Sequence, residues 1–236
     1  MTNYSNFATY YDDIMGDRKS DAENIDKLIR KYSPKAKKIL ETGCGTGAVI
    51  GYLNKKGYEV SGFDASDEML ALAKKRLPAV KLSRQDLTSF NFEDKFDAVI
   101  CVFDTVNHLL DINSWLMFFK NSYNHLNNGG VLLFDMNTKG KLEQLSKSSP
   151  LVKKGASTSM SITVTKQEND VYNWHIEIQP NNPLLSIVSE NIKEVSFPID
   201  KITDDLRKNY SEVKIIGQDD KVTLEKTDRV FFVCIK

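Results

Sequence analysis

The sequence predicts an α/β chain, a mostly parallel sheet with helices on both faces and an antiparallel insertion of strands. Three observations carry this. From about Lys38 to Asn137, short apolar segments alternate with helical ones, in units long enough for crossover connections. The first strand ends in a glycine-rich turn, Glu41-Thr-Gly-Cys-Gly-Thr-Gly47. From about Lys139 to Pro198 the hydrophobic period becomes two, as in antiparallel strands. A chain of 236 residues buries one good core and an insertion beside it, hardly two independent domains. Residues 1–236 therefore read as one domain, with 139–198 as the insertion.

The elements follow in order. Ser20-Asp-Ala-Glu23 has the form of a capping box, and Ile25, Leu28, Ile29 and Tyr32 follow at helical spacing before Pro34. Lys38–Leu40 is a short strand, and a helix spans Ala48 to Lys55 after the glycine turn. The strand Glu59–Phe63 ends on Asp64. Ser66 is a good N-cap, with Asp67 and Glu68 where the helix dipole favours carboxylates, and that helix stops before Pro78. Val80–Gln85 reads as a third strand. Phe96–Phe103 is nearly all apolar, as a central parallel strand should be. A helix from about Ser114 to Leu126 leads to a turn at Asn127-Asn-Gly-Gly130 and a fifth strand, Val131–Phe134. In the insertion, Ser157–Thr165, Val171–Ile178 and Ile187–Phe197 read as strands. A helix over about Asp200–Asn209 and the strands Val213–Ile216 and Arg229–Ile235 follow.

The composition is that of an ordinary globular protein, 41% hydrophobic and 27% charged. Lys plus Arg and Asp plus Glu are both 32, giving a formal net charge of zero, which argues against a nucleic-acid partner except through a local basic patch. No apolar run approaches the roughly 20 residues that cross a bilayer, and the first residues lack the basic and apolar regions of a signal peptide. The three cysteines, Cys44, Cys101 and Cys234, have no metal-ligand or CxxC spacing. The expectation is a cytoplasmic protein, a monomer or homodimer, with no membrane partner and no metal.

The chemistry lies in an ordered set: Glu41-x-Gly43-x-Gly45-x-Gly47, then Asp64, then Asp86, each at the carboxyl end of an expected strand. That edge of an open parallel sheet is where ligands bind. Glycines at 43, 45 and 47 let the backbone approach a ligand closely. A carboxylate at Asp64 can accept both hydroxyls of a ribose, and Asp86 sits where an adenine amino group could be read. The turn also satisfies the dinucleotide fingerprint G-x-G-x-x-A, so a nicotinamide-dependent oxidoreductase is the rival reading. Against it stand Glu41, suited to an ammonium group, Asp86 after the third strand, and the helix and two strands at the end of the chain in place of a second nucleotide-binding half.

These stretches, with Phe63-Asp-Ala-Ser-Asp-Glu-Met-Leu70, Gln85-Asp-Leu87, Phe96-Asp-Ala-Val-Ile-Cys101 and Asn128-Gly-Gly-Val-Leu-Leu-Phe134, resemble the successive motifs of class I S-adenosylmethionine-dependent methyltransferases. The resemblance covers about Lys38 to Asn137 and resumes at the carboxyl-terminal helix and strands. It implies a Rossmann-like sheet of seven strands in the order 3-2-1-4-5-7-6, the last antiparallel. It also implies S-adenosyl-L-methionine as methyl donor and S-adenosyl-L-homocysteine as product. The Gly43–Gly45 backbone, with Glu41 and Cys44, would line the methionine part of the donor. Asp64 would hold the ribose, Ala65 and Met69 would border the adenine, and Asp86 and Leu87 would meet the base edge. Val102 would lie beneath the methionine carboxyl and sulfonium. Tyr4, Phe7, Tyr10 and Tyr11, with Asp12, look like an aromatic amino-terminal lid (1–19), Tyr10 against the cofactor and Tyr4 towards the substrate. A narrower likeness, in 64–70, 96–101 and Asn107-His108-Leu109, is to glycine N-methyltransferase. Asp104 departs from it, standing where that enzyme type carries an amide.

A methyltransferase must bring a nucleophile in line behind the activated methyl and exclude water. His108 is the best candidate for a base or orienting group, its plain alternative being a loop cap. Asp104, Thr105 and Asn137 are candidate substrate contacts. His125, near a helix end, reads as a solvated dipole partner. Tyr172, Trp174 and Ile176 share one strand face, most simply core. The expected activity is methyl transfer to nitrogen or oxygen of a small-molecule acceptor. The alternatives are a methyltransferase acting on RNA or protein, a cofactor-binding protein without catalysis, and the NAD-dependent oxidoreductase.

Overall fold

The computed structural model describes residues 7–217 and 227–236. In its central strands, successive side chains face opposite sides and both sides are apolar, so each strand is buried twice. These strands are β1 (Lys38–Thr42), β2 (Glu59–Asp64), β3 (Lys81–Arg84), β4 (Phe96–Cys101) and β5 (Leu126–Asn137), joined by the closing pair β10 (Glu212–Gly217) and β11 (Arg229–Ile235). Their order is β3-β2-β1-β4-β5-β11-β10, parallel except for β11, which runs antiparallel to both neighbours. This is the seven-stranded order expected above.

The pleat parity decides which helix packs where. Ile39, Ala98, Ile100, Val131, Leu133 and Val233 face α2 (Lys19–Tyr32) and α3 (Ala48–Lys55), which present Ala22, Ile25, Ile29, Val49, Ile50 and Leu53. The residues one step along, Leu40, Val99, Cys101, Leu132, Phe134 and Phe232, face α5 (Ile112–His125) and α7 (Ile199–Arg207). There Trp115, Phe118, Phe119, Ile202 and Leu206 complete an aromatic-rich layer, and Phe134 stacks on its register partner Phe232 at 4.6 Å between ring centroids. α4 (Asp67–Arg76) starts where Ser66 Oγ accepts the Met69 N–H, as its sequence indicates.

A second, four-stranded antiparallel sheet is made of β6 (Leu151–Lys154), β7 (Thr158–Lys166), β8 (Tyr172–Pro180) and β9 (Val188–Glu194). Met160, Ile176, Ile178 and Ile192 on one face pack against Phe7 and Ile14 of α1 (Ala8–Met15) and its preceding residue. Tyr172 and Val164 cover Leu142 of α6 (Lys139–Ser146).

Several local expectations are corrected. α2 starts one residue before Ser20; its N-cap is Arg18, and no side chain caps it, so Ser20 and Glu23 form no capping box. Asp17 instead accepts the Lys19 N–H at 2.8 Å. Asn127–Gly130 is not a turn but the bulged start of β5, where Gly129 takes φ +74° and the backbone pairs with Lys236. Residues 139–146 are helical, because Thr138 Oγ1 caps the Lys141 N–H. His125 is buried: its Nε2 accepts the Phe92 N–H at 3.1 Å and its ring packs on Phe90. No helix among the described residues is long and apolar enough to cross a membrane.

Candidate active site

Two cavities open along the carboxyl ends of β1, β2 and β4, the ligand-binding edge of such a sheet. The smaller, of about 200 Å3, gathers Glu41, Gly43, Cys44, Gly45, Asp64, Ala65, Met69, Asp86, Leu87 and Val102. The larger, of about 1310 Å3, is walled by α1, α2, the loop after β4, β11 and the apolar face of the second sheet, including Trp174 and Ile176. Tyr11, Arg18, Val102, Phe103 and His108 line both, so the cavities meet at these five residues.

In the smaller cavity the turn after β1 depends on positive φ. Gly43 has φ +68°, and a Cβ there would collide with the Thr105 methyl. Asp64 Oδ2 accepts the Gly45 N–H at 2.8 Å and Oδ1 accepts the Ser66 N–H at 2.9 Å. The carboxylate is thereby held rigid while each oxygen keeps a lone pair for a ligand hydroxyl. Burial raises its pKa, against those two N–H bonds. Glu41 is only 3% exposed and its Oε2 accepts the Ile50 N–H at 2.9 Å, in the first turn of α3. Burial, added to by the nearby Asp64 charge, pushes its carboxyl up to about 8. Burial also pushes the Cys44 thiol up, which makes it an inert neighbour rather than a nucleophile.

Glu41 decides between a dinucleotide and a nucleoside. In dinucleotide-binding folds a pyrophosphate sits on the amides at the start of the first crossover helix. Here the buried Glu41 carboxyl already takes the Ile50 N–H at that end of α3, and among the described residues no second nucleotide-binding half follows.

The loop after β4 shapes the junction. Phe103 and Asp104 both adopt left-handed backbone, with φ +61° and +54°. Their N–H groups both donate to the Asp135 carboxylate, at 3.0 and 2.6 Å. Asp135 is buried on β5 and pairs with Arg229 Nη1 at 3.1 Å, while Arg229 Nη2 pairs with Asp104 and reaches Asn137 Oδ1 at 3.2 Å. Burial alone would raise the Asp104 carboxyl, but the Arg229 guanidinium, with His108 and Lys141 nearby, holds it below the usual range. Burial and the Asp104 charge push the Glu194 carboxyl of β9 well above its ordinary range, and its Oε2 accepts from Asn137 Nδ2 at 2.9 Å. His108 Nδ1 lies 3.2 Å from the Lys193 carbonyl, which makes Nδ1 the ring's donor and Nε2 its acceptor. Burial lowers the His108 pKa, partly offset by Asp104, so the ring is neutral at neutral pH.

Three candidate residues stand elsewhere than expected. Tyr10 lines neither cavity; it packs beside the cluster of Phe7 and Ile14, and Tyr11, one residue on, reaches the junction. Thr105 belongs to the smaller cavity, its Oγ1 donating to the Val102 carbonyl at 2.7 Å. Asn137 lies behind the wall, its Nδ2 donating to Glu194 and its Oδ1 accepting from Lys141 and Arg229. Tyr4 lies outside the described residues. Asp104 and His108 do line the larger cavity.

The residues missed by sequence reasoning are those joined only by the fold. Arg18 stacks on the Phe103 ring at 4.2 Å, and its Nε and Nη2 are buried with no hydrogen-bond partner among the described residues. Asn107 ties the turn to β5 and to residue 195 through the carbonyls of Asn137 and Val195. Glu194, Lys141 and Arg229 come from three remote elements. No periodicity or local motif marks them, except that Asn107 stands in the Asn107-His108-Leu109 stretch quoted above.

Comparison with known proteins agrees with this geometry. Residues 39–130 match the family described as a methyltransferase domain. A putative methyltransferase of Geobacillus sp. (strain WCH70) is 33% identical over 149 residues, 60% of each chain. The dTDP-3-amino-3,4,6-trideoxy-alpha-D-glucopyranose N,N-dimethyltransferase of Streptomyces venezuelae is 31% identical over 119 residues, half of each chain. The chain thus spans 50–60% of the length of these relatives. An S-adenosylmethionine-dependent methyltransferase from Clostridium acetobutylicum ATCC 824 superposes with a TM-score of 0.86 at 23% identity, over 98% of both chains. The fold is that of the class I S-adenosylmethionine-dependent methyltransferases. Within it, residues 39–130 are the stretch similar to a methyltransferase domain.

Proposed function

We propose that the protein transfers a methyl group from S-adenosylmethionine to the amino nitrogen of a small-molecule acceptor. The observation that carries this reading is the junction: a neutral His108 and an ionised Asp104 stand where a nucleoside-shaped cavity opens into a larger one. Support for nitrogen over oxygen comes from the Streptomyces relative, whose name is that of an amino-sugar N,N-dimethyltransferase.

The residues of the smaller cavity fit the donor. Arg18 offers two unsatisfied buried N–H donors, suited to the methionine carboxylate, and Glu41 a buried carboxyl suited to its ammonium group. Asp64 would accept the ribose hydroxyls, with Asp86 and Leu87 at the base edge. The donor, when bound, supplies a sulfonium methyl that is already an electrophile.

The chain's own part is then positioning and proton handling. The ionised Asp104 favours the arrival of a protonated amine in the larger cavity. His108 Nε2 takes the proton that must leave before the nitrogen can attack, and the Lys193 carbonyl holds the ring through Nδ1. Tyr11, Phe103 and Trp174 exclude water from the junction.

The test is to incubate the purified protein with S-adenosylmethionine and a panel of amines, including nucleotide-linked amino sugars and amino acids, beside matched hydroxyl compounds. S-adenosylhomocysteine should form with amines and fall about 100-fold or more in His108→Asn. Formation only with hydroxyl compounds would overturn the nitrogen assignment, and binding of NAD without S-adenosylhomocysteine would overturn the donor.

A further inference from the structure

Arg229 stands first in β11, far in sequence from the turn after β4, yet its guanidinium meets three groups that shape the junction: Asp135, Asp104 and the Asn137 amide oxygen. Two facts make this more than an ion pair. Consecutive left-handed residues other than glycine cost free energy and persist only where their surroundings hold them. Here one buried carboxylate, Asp135, takes both of their N–H groups, and it would be an uncompensated buried charge without Arg229. The same guanidinium also meets Asp104, the carboxylate whose charge acts on His108.

We propose that Arg229 is a positioning residue for methyl transfer: through Asp135 it fixes the Phe103–Asp104 backbone against the cofactor cavity, and through Asp104 it sets the charge that faces His108. The proposal rests on the reading of the junction as the transfer point. The two effects separate by chemistry. The planar fork of arginine serves two carboxylates at once, whereas a lysine supplies the charge through a single ammonium group. Charge alone therefore governs His108, and fork geometry governs the loop. Among the described residues, the charged and titratable groups around Asp104 are Arg229 on β11, Asp135 on β5, His108 after β4, Lys141 on α6, Glu194 on β9 and Tyr11 on α1.

The full chain can test this without a known acceptor. The His108 imidazole is titrated by NMR, assigned with His108→Asn, and S-adenosylhomocysteine binding is measured by calorimetry. In Arg229→Met the Asp104 carboxyl is no longer held ionised, so the His108 midpoint should fall by roughly half a unit or more, and affinity should fall about tenfold as the loop loosens. Arg229→Lys should titrate like the wild type but still lose affinity. Wild-type behaviour of a folded Arg229→Met in both measurements overturns the proposal. Should that variant fail to fold, Arg229→Lys decides: wild-type affinity there overturns it, and weakened affinity with an unchanged His108 midpoint supports it. Failure of the wild-type protein to bind S-adenosylhomocysteine would instead overturn the cofactor reading, a result distinct from either.

Discussion

Asp12 and Asp13 are adjacent on α1 and hold opposite halves of the molecule. Asp12 accepts from Thr46 Oγ1 at 2.8 Å, in the glycine turn, and pairs with Arg76 of α4. Asp13 accepts from the Ala156 and Ser157 N–H groups and from the hydroxyls of Ser157 and Thr158, at the start of β7. Tyr11, the residue before them, lines both cavities. One helix of eight residues thus fastens the second sheet to the cofactor turn.

Replacement of Asp13 should therefore free the second sheet. Its hydrogen bonds, those to Thr158 and Ser157 foremost, hold the carboxyl below its ordinary 3.8. A depressed folded pKa means the unfolded chain binds the proton more readily, so the stabilisation exists above 3.8 and disappears as pH falls through the folded value. Asp13→Ala should melt below the wild type at neutral pH, and the gap should close in acid. A gap that stays constant down to the lowest pH at which the protein folds would count against the clasp.

Gly43 and Thr105 make the second prediction. Gly43→Ala meets both a strained φ and the Thr105 methyl, and should weaken S-adenosylhomocysteine binding at least about tenfold. Thr105→Ser removes the methyl and keeps the hydroxyl that bonds the Val102 carbonyl. The double variant should recover part of the loss but not all, because the positive φ remains. Full recovery in calorimetry would mean that the clash alone fixes glycine at this position.

How far the sequence discloses this protein depends on the range of the interaction. The β1–α3 turn, the Ser66 cap and Asp64 follow from signals within a few residues, the sheet order is what the methyltransferase resemblance implies, and the fold has them where they are expected. Errors arose where a long-range partner outweighed local preference. α2 starts at Lys19 with no side-chain cap, so Ser20 is not used as one, and the ring of His125 is buried with its Nε2 accepting the N–H of Phe92, 33 residues away in sequence. Asn137 was sought at the substrate, but its amide is used to hold Glu194 and Arg229. Tyr10 and Tyr11 differ by one helical step of about 100°, which a lid of uncertain start cannot resolve from sequence.

Glu41 gives a pH dependence of the opposite sense to Asp13. Its folded pKa of about 8 lies above the ordinary 4.5, so the folded state holds the proton and stability falls as pH rises from 4.5 through 8. Glu41→Gln should melt above the wild type at pH 7 and lose that advantage below 4.5. The same change should weaken S-adenosylhomocysteine. It should also abolish the proton release that accompanies binding, measured by calorimetry in buffers of different ionisation enthalpy. Equal proton release in the two proteins would show that Glu41 does not meet the ammonium group.

Arg18 provides the sharpest check on the orientation of the donor. Its Nη1 contacts Asp21 at 3.4 Å, but Nε and Nη2 are buried without partners among the described residues, an arrangement that costs folding free energy unless a ligand satisfies it. If that ligand group is the methionine carboxylate, Arg18→Met should weaken S-adenosylhomocysteine by roughly 10- to 100-fold, the range of a charge-assisted hydrogen bond. Methylthioadenosine, which has the nucleoside but no carboxylate, should bind the two proteins alike. Equal losses for both ligands would place Arg18 as a support for Phe103 instead, since the stacking at 4.2 Å would then be what the cavity needs. Loss for S-adenosylhomocysteine alone would fix the amino-acid end of the donor beside α2 and leave the larger cavity to the acceptor.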